Sequence, residues 1–450
     1  VDVSFGGRLA LGPTARAMIR QIQALLARCE GDVAQLSDSL WQKKDAWKAH
    51  VEELPVVLAA FDSAKHTLVV AFLLEAQISA GGIPEPRQAF DYVASFLQVS
   101  DEEQVRAAPV QICAVCKWFA QMAIDDGQQA RLRSLRPLLS ALTKLRPSAE
   151  TLTPVHTEFL RVCLKAKAYH LAARLLDQPI CDIYPASLAK YVQTLVTPEG
   201  FLCYFYYGAL VRIGLRQYVE ALQLLLVVLT CPSSCLSAVQ VDAYKKFVLL
   251  SLKISGDLHS LPMYASHIVQ RYAKSPGYAV DIAEAFKQGD AVALRRIVEE
   301  KAQAIQADDN TGLAKQAVES LQRHKVRMLT STYLTLSLAE IAREIGFEEE
   351  SQAPDVERLL FDMISAGEIN ARIDEASGNV FFEDDSDDMD AGMVDQIQDR
   401  LRKIMDMAQR VSAFEQQVVS SEAFVRKTVA LEGGSPGAVA AIGGYDFMDM

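Results

Sequence analysis

The sequence lacks most of what a catalyst needs. Its seven histidines form neither H-x-H nor H-E-x-x-H, the spacings that aim two imidazoles at one metal. Metal-hydrolase chemistry of that kind is excluded. No glycine loop of either standard phosphate-cradling form is present. Cys113 and Cys116 make a C-x-x-C, but no second pair follows at zinc-binding spacing. Their segment, PVQICAVCKWFAQM, reads as one face of a buried helix. Cys231 and Cys235, in TCPSSC, flank a helix-ending turn and also lack partners. Gly433, Ser435 and Gly437 satisfy G-x-S-x-G, yet no strand precedes them and no histidine follows His324 to act as base. The sequence therefore assigns no catalytic, cofactor-binding or metal-binding residue, and no cofactor.

Positive charge is scarce too. Against 57 Asp and Glu stand 45 Lys and Arg, a net charge of −12. That balance argues against general attraction to nucleic acid or to an anionic membrane. Long apolar runs are missing: the longest is Phe201–Val211, FLCYFYYGALV, far short of a membrane span. No signal-peptide pattern is visible in the residues present. The eight cysteines are dispersed in helical apolar stretches, as Cys163 is in FLRVCLKA and Cys203 in FLCYFYY. Such usage points to reduced thiols in an intracellular compartment.

What the chain has is helix. Met18, Ile19, Ile22, Leu25, Leu26 and Cys29 form a helical stripe. ISAGGIPEP (78–86) reads as a loop, and LTKLRPSAETLTP (142–154) as a boundary. From 155 the pattern becomes quasi-repetitive in AKAYHLAARLLDQP, RIGLRQYVEALQLLLVVLTCP, SLKISGDLHSLP and EAFKQGDAVALRRIVEE. Each ends one amphipathic helix, turns, and starts another. Gly214, Gly256 and Gly289 mark the turns at helix-pair spacing, and Gly214, Tyr218, Ala221 and Pro232 stand roughly where a tetratricopeptide repeat has its Gly, Tyr, Ala and Pro. Pairs whose apolar faces only neighbours can cover build a right-handed α-solenoid of TPR-like repeats, usually a binding surface.

Residues 326–385 break the pattern. Alternation in TYLTL predicts a strand around Thr332–Leu336, and Ser337-Leu338-Ala339-Glu340 a capping box with a helix behind it. Pro354 opens a second helix with Val356, Leu359, Leu360, Met363 and Ile364 on one face. Ile369, Ala371 and Ile373 alternate, a turn follows at Ser377-Gly378-Asn379, and Val380-Phe381-Phe382 complete a hairpin. Strand, helix, helix, hairpin is the order of a winged helix. It is not built for DNA: residues 326–382 hold 4 basic and 11 acidic side chains, a net of −7, so the phosphate backbone would repel them.

The acidic run EDDSDDMD (383–390) reads as a solvated linker. After it, Val394, Ile397, Leu401, Ile404, Ala408 and Val411 recur in threes and fours, the seam of a coiled coil, which Glu415 interrupts before Val418. Residues 433–450, rich in Gly and Ala, read as a disordered tail. The organisation expected is 1–150 and 151–325 helical repeats, 326–385 winged helix, 386–432 linker and C-terminal helix, 433–450 tail, with the PCI part of the repeats starting near 200.

A solenoid running into a winged helix and a terminal helix resembles the PCI-domain scaffolds of the proteasome lid, the COP-nine signalosome and an initiation-factor complex. The phrases LRVCLKAKAYHLAARLL, FLCYFYYGALVRIGLRQYVEALQLL, VDAYKKFVLLSLKISGDLHSLP and GLAKQAVESLQRHKVRMLTSTYLTLSLAEIA, with YDF at 445–447, resemble the family of third subunits of the signalosome. The resemblance implies a non-catalytic scaffold, in the nucleus and cytoplasm, of a complex that removes Nedd8 from cullins and so regulates cullin-RING ligases. It implies the first and eighth subunits as neighbours and a metalloprotease in another subunit. It also implies assembly through winged-helix edges and a bundle of C-terminal helices. The residues expected at the edge are Leu334, Leu336, Ile369, Ile373, Val380 and Phe382, where unpaired backbone groups invite strand pairing. The seam from Val394 to Val411 is expected in the bundle. A scaffold of another PCI complex, and a nucleic-acid-binding winged helix, stay open as alternatives.

Overall fold

The computed structural model describes residues 12–29, 32–81, 86–185, 195–345, 353–374, 378–382, 391–422 and 424–426. By contact the chain divides into two units, Val1–Ala366 and Gly367–Met450, so the division falls inside the segment read as a winged helix.

The first unit opens with α1 (Pro13–Cys29), α2 (Val33–Lys48), α3 (Leu54–Ala59), α4 (Thr67–Ser79), α5 (Pro86–Val99), α6 (Glu102–Ala107), α7 (Pro109–Asp125) and α8 (Gln128–Leu145). It continues through α9 (Pro154–Ala166), α10 (Tyr169–Leu176), α11 (Pro198–Gly214), α12 (Tyr218–Thr230), α13 (Ala238–Ser255), α14 (His267–Ala273), α15 (Tyr278–Gln288), α16 (Ala291–Glu300), α17 (Ala302–Ala307) and α18 (Thr311–Thr330). The chain stacks helix on helix: α7 on α8, α8 on α9, α9 on α11, α11 on α12, α12 on α13. That is the economy of a repeat protein, in which each apolar face is covered by a neighbour near in sequence.

The core does not break at 142–154, since Leu145, Leu152 and Val155 belong to one apolar cluster that spans α1 to α11. The change comes at α11 itself. Tyr204 and Val211 enter the first cluster, whereas Leu202 and Ala209 enter a second that runs to α18. A helix serving two cores must be apolar all round, which explains why FLCYFYYGALV is the longest apolar run in the chain.

The turns between paired helices use left-handed backbone. Gly256 and Gly289 sit at φ +73° and +72°, capping α13 and α15. Gly214 has a different duty. It remains in α11, the positive φ belongs to Arg216 at +61°, and a Cβ on Gly214 would stand 3.2 Å from the Tyr169 ring. Its missing side chain lets α10 and α11 close.

A two-residue parallel pair, β1 (Thr151–Leu152) with β2 (Asp182–Ile183), bridges the α8–α9 link to the segment after α10. The unit ends in β3 (Thr335–Ser337), α19 (Leu338–Ile345) and α20 (Ala353–Ser365). The capping box forms as read: the Ser337 hydroxyl accepts from the Glu340 N–H at 3.3 Å while the Glu340 carboxylate accepts from the Ser337 N–H at 3.1 Å. The strand, however, starts at Thr335 rather than Thr332. The N–H groups of Thr332 and Tyr333 both bond the Leu329 carbonyl, at 3.0 and 2.9 Å, so the end of α18 captures them first. Val356, Leu360 and Met363 form the buried stripe of α20.

The second unit holds β4 (Ala371–Asp374), β5 (Asn379–Phe382) and α21 (Ala391–Val419). The two strands pair antiparallel, with Ala371 opposite Phe382 and Ile373 opposite Val380. Gly378, at φ +67°, closes the turn by donating to the Asp374 carbonyl at 2.9 Å. Strand, helix, helix, hairpin is thus the order found along the chain. Gly346, the acidic run 383–390 and the tail 433–450 lie outside the described residues.

Candidate interaction surfaces

The six residues expected at the winged-helix edge divide. Val380 and Phe382 alternate with half-buried neighbours along β5 and are buried by the chain itself, as is Ile369. Their side chains are core, which removes them as contact surface. Leu336 and Ile373 are half-buried. Leu334 alone is fully available: it precedes β3 and is 72% exposed, beside exposed Tyr333 and Met328 at the end of α18. Tyr333 and the exposed Phe361 of α20 escape a reading based on stripes, because Tyr333 falls between the alternating leucines and Phe361 lies off the stripe of α20.

On α21 the arrangement is simpler. Ile397, Leu401, Ile404 and Val411 are all exposed, with Leu401 at 54% and Ile404 at 62%, and Ala408 shares their face. Val394 lies in the first turn of the helix. Glu415 does not end the apolar surface, since exposed Phe414 and Val418 carry it on. Met405 and Met407 widen it to either side. A helix of 29 residues is about 43 Å long. The exposed apolar strip from Ile397 to Val418 covers about 32 Å of it, a larger surface than soluble monomers ordinarily leave in water.

The groups that imitate reactive sites are inert. Cys116 is buried and Cys113 half-buried on α7; burial pushes both thiols up, and Glu158 nearby pushes the same way. Neither is a nucleophile at neutral pH. His156 is fully buried at the start of α9, where its Nδ1 accepts from the Thr153 N–H at 3.0 Å. Burial, with the Arg146 charge adding to it, holds the imidazole down at about 4, although the Thr153 carbonyl, 3.3 Å from Nδ1, favours the protonated ring. It serves as a neutral cap.

Polar chemistry of another kind lies inside the repeats. Lys246, 4% exposed, donates to Asp242 at 3.1 Å and to the Asp308 carbonyl at 3.3 Å. Lys245 donates to the Asp308 carboxylate at 2.6 Å, and the Tyr278 hydroxyl does so at 2.8 Å. Tyr206 donates to Asp242, and Asn310 donates to the Tyr278 hydroxyl at 2.8 Å. Burial alone would push the Asp308 carboxyl up; the Lys245 and Tyr278 hydrogen bonds outweigh it and hold it below the ordinary carboxylate value. The network ties α11, α13, α15 and the α17–α18 link together. Each cation is matched by a carboxylate inside the chain, so it is internal structure and not a surface for an anionic partner.

Stacked repeats, a short sheet with two helices, and a terminal helix that displays an apolar face without reactive groups define a PCI-type scaffold. The comparisons agree. Residues 30–269 match the family model described as "COP9 signalosome complex subunit 3, N-terminal helical repeats", and residues 293–384 match the PCI domain. The chain is 30% identical over 419 residues to COP9 signalosome complex subunit 3 of Arabidopsis thaliana, covering 92% of this chain and 93% of that one. It is 26% identical over 432 residues to the Drosophila melanogaster protein of the same name, covering 93% and 95%. The chain belongs to the COP9 signalosome complex subunit 3 family.

Proposed function

We propose that this chain is a non-catalytic scaffold subunit of a signalosome, placed between the first and eighth subunits. In this reading the complex removes Nedd8 from cullins, and so resets cullin-RING ligases, through a metalloprotease held by another subunit. The chain meets cullin-RING ligases only through the whole complex, in both nucleus and cytoplasm. Its repeats form the body, the segment 326–385 contributes strand edges and the exposed Leu334 corner, and α21 enters a helix bundle.

One observation carries the reading: α21 keeps Ile397, Leu401, Ile404 and Val411 in water, although burying each is worth about 2 kcal/mol. The family relation supports the identity of the particle. The test is to recover the tagged full-length chain from its own cells. Stable signalosome subunits and cullin-deneddylating activity should come with it. Intact proteasome in their place would favour another PCI particle, and nucleic acid bound in a steeply salt-dependent way would revive the winged helix as a nucleic-acid module.

A further inference from the structure

The apolar surface of α21 has a seam and two flanks of different chemistry. At about 100° per residue, Ile397, Leu401, Ile404 and Ala408 lie close to one line along the helix. Met405 and Met407 fall about 80° to either side of it. Both methionines are exposed, at 63% and 65%. The seam consists of aliphatic side chains that peroxide does not attack, and the flanks carry thioethers that it does. Elsewhere Met18 and Met363 are buried, whereas Met263, in the α13–α14 loop, and Met328, at the end of α18, are exposed, at 97% and 58%.

We propose that Met405 and Met407 are modification sites through which hydrogen peroxide controls incorporation of the chain into its particle. This rests on the reading of α21 as an assembly helix. The thioether sulfur attacks one peroxide oxygen; an S–O bond forms and the O–O bond breaks. Sulfur gives up two electrons, and the departing hydroxide takes the proton left on the transferred oxygen. The products are one sulfoxide and one water. A sulfoxide is a strong acceptor on what was an apolar flank, and burying it without a donor is unfavourable. Oxidation therefore acts on the free chain and keeps α21 out of the bundle; once assembled, the flanks are covered. Because methionine sulfoxide is enzymatically reducible, the block is reversible.

The experiment treats the full-length chain with hydrogen peroxide, maps the sulfoxides by peptide mass spectrometry, and measures incorporation into a complex reconstituted from the other subunits. Oxygen should appear at Met405, Met407, Met263 and Met328, and incorporation should fall about tenfold. The Met405→Leu/Met407→Leu chain should still oxidise at Met263 and Met328 yet incorporate normally, and sulfoxide reductase should restore the wild type. Loss of incorporation by the leucine chain equal to the wild type's, or full incorporation of oxidised wild type, overturns the proposal. Should the leucine pair disturb assembly by itself, partial oxidation of the wild type decides: sulfoxides at 405 and 407 confined to the excluded pool support the proposal, and equal amounts in both pools refute it. Normal incorporation of untreated Leu401→Asp/Ile404→Asp chain would instead remove the assembly-helix reading.

Discussion

α13 and α21 are both long helices rich in apolar side chains, and they meet opposite fates. α13 packs against α11, α12, α15 and α18 and buries nearly every large side chain it has, from Tyr244 to Leu252. Even Lys246 is enclosed there, with its charge matched by Asp242. α21 carries a comparable apolar set and leaves it in water. The difference separates two ways of stabilising a helix. One draws on neighbours inside the chain. The other shows, among the described residues, backbone hydrogen bonds and side-chain pairs along the helix, such as Arg402 with Asp399 at 3.7 Å, and pairs of that kind are worth a few tenths of a kcal/mol. A helix of the second kind gains its main stabilisation on meeting partners.

The sharpest way to break this contrast is to put charge on the seam. Leu401→Asp with Ile404→Asp should weaken incorporation into the particle by about a thousandfold, two buried anchors at roughly 2 kcal/mol each. The thermal unfolding of the free chain should not move, because neither side chain is buried in it. A mutation of the opposite kind belongs in α13. Lys246→Met takes the paired cation from Asp242, leaving it the Tyr206 hydroxyl, and the Lys246 donor from the Asp308 carbonyl, and should cost about 3 to 4 kcal/mol in denaturant unfolding. Where that chain is still folded it should assemble normally.

Protonation tests the repeats alone. His156 titrates near 6.5 when unfolded and at about 4 in the fold, so the unfolded chain takes up the proton first. Its contribution is full above pH 6.5, declines as pH falls to 4, and is constant below. The loss is about 3 kcal/mol. It should appear as the difference in pH dependence between wild type and His156→Gln in urea titrations; parallel curves would show that the buried imidazole is no burden. The smallest effect is local. Ser337→Ala removes the cap of α19 and should cost about 1 kcal/mol, read from amide exchange in α19 with assembly retained.

How much of this was legible depended on how far apart the interacting residues lie. The capping box at Ser337–Glu340, the glycine caps at 256 and 289 and the stripe of α20 are contained within a few residues, and periodicity finds them. The start of β3 was misplaced by three residues because the final carbonyls of α18 compete for the same N–H groups. The pair β1–β2 is two residues per strand, too short for alternation to register. Gly214 resembled a turn glycine, and only the Tyr169 ring beside it shows what it is for. The Lys245-Lys246 phrase was recognisable as a family feature, but its partner Asp308 is over sixty positions away, beyond any local pattern. At the candidate surfaces, alternation named Val380 and Phe382 correctly as apolar and could not say which way they faced. The seam of α21 was visible because a long exposed helix and its sequence period carry the same information.

The most direct measurement is amide hydrogen exchange across Ala391–Val419 in the free full-length chain and in the reconstituted particle. The account predicts rapid exchange throughout that helix when the chain is alone and strong protection around Leu401–Val411 after assembly. Equal protection in both states would mean that the chain already satisfies its own helix, and would contradict it.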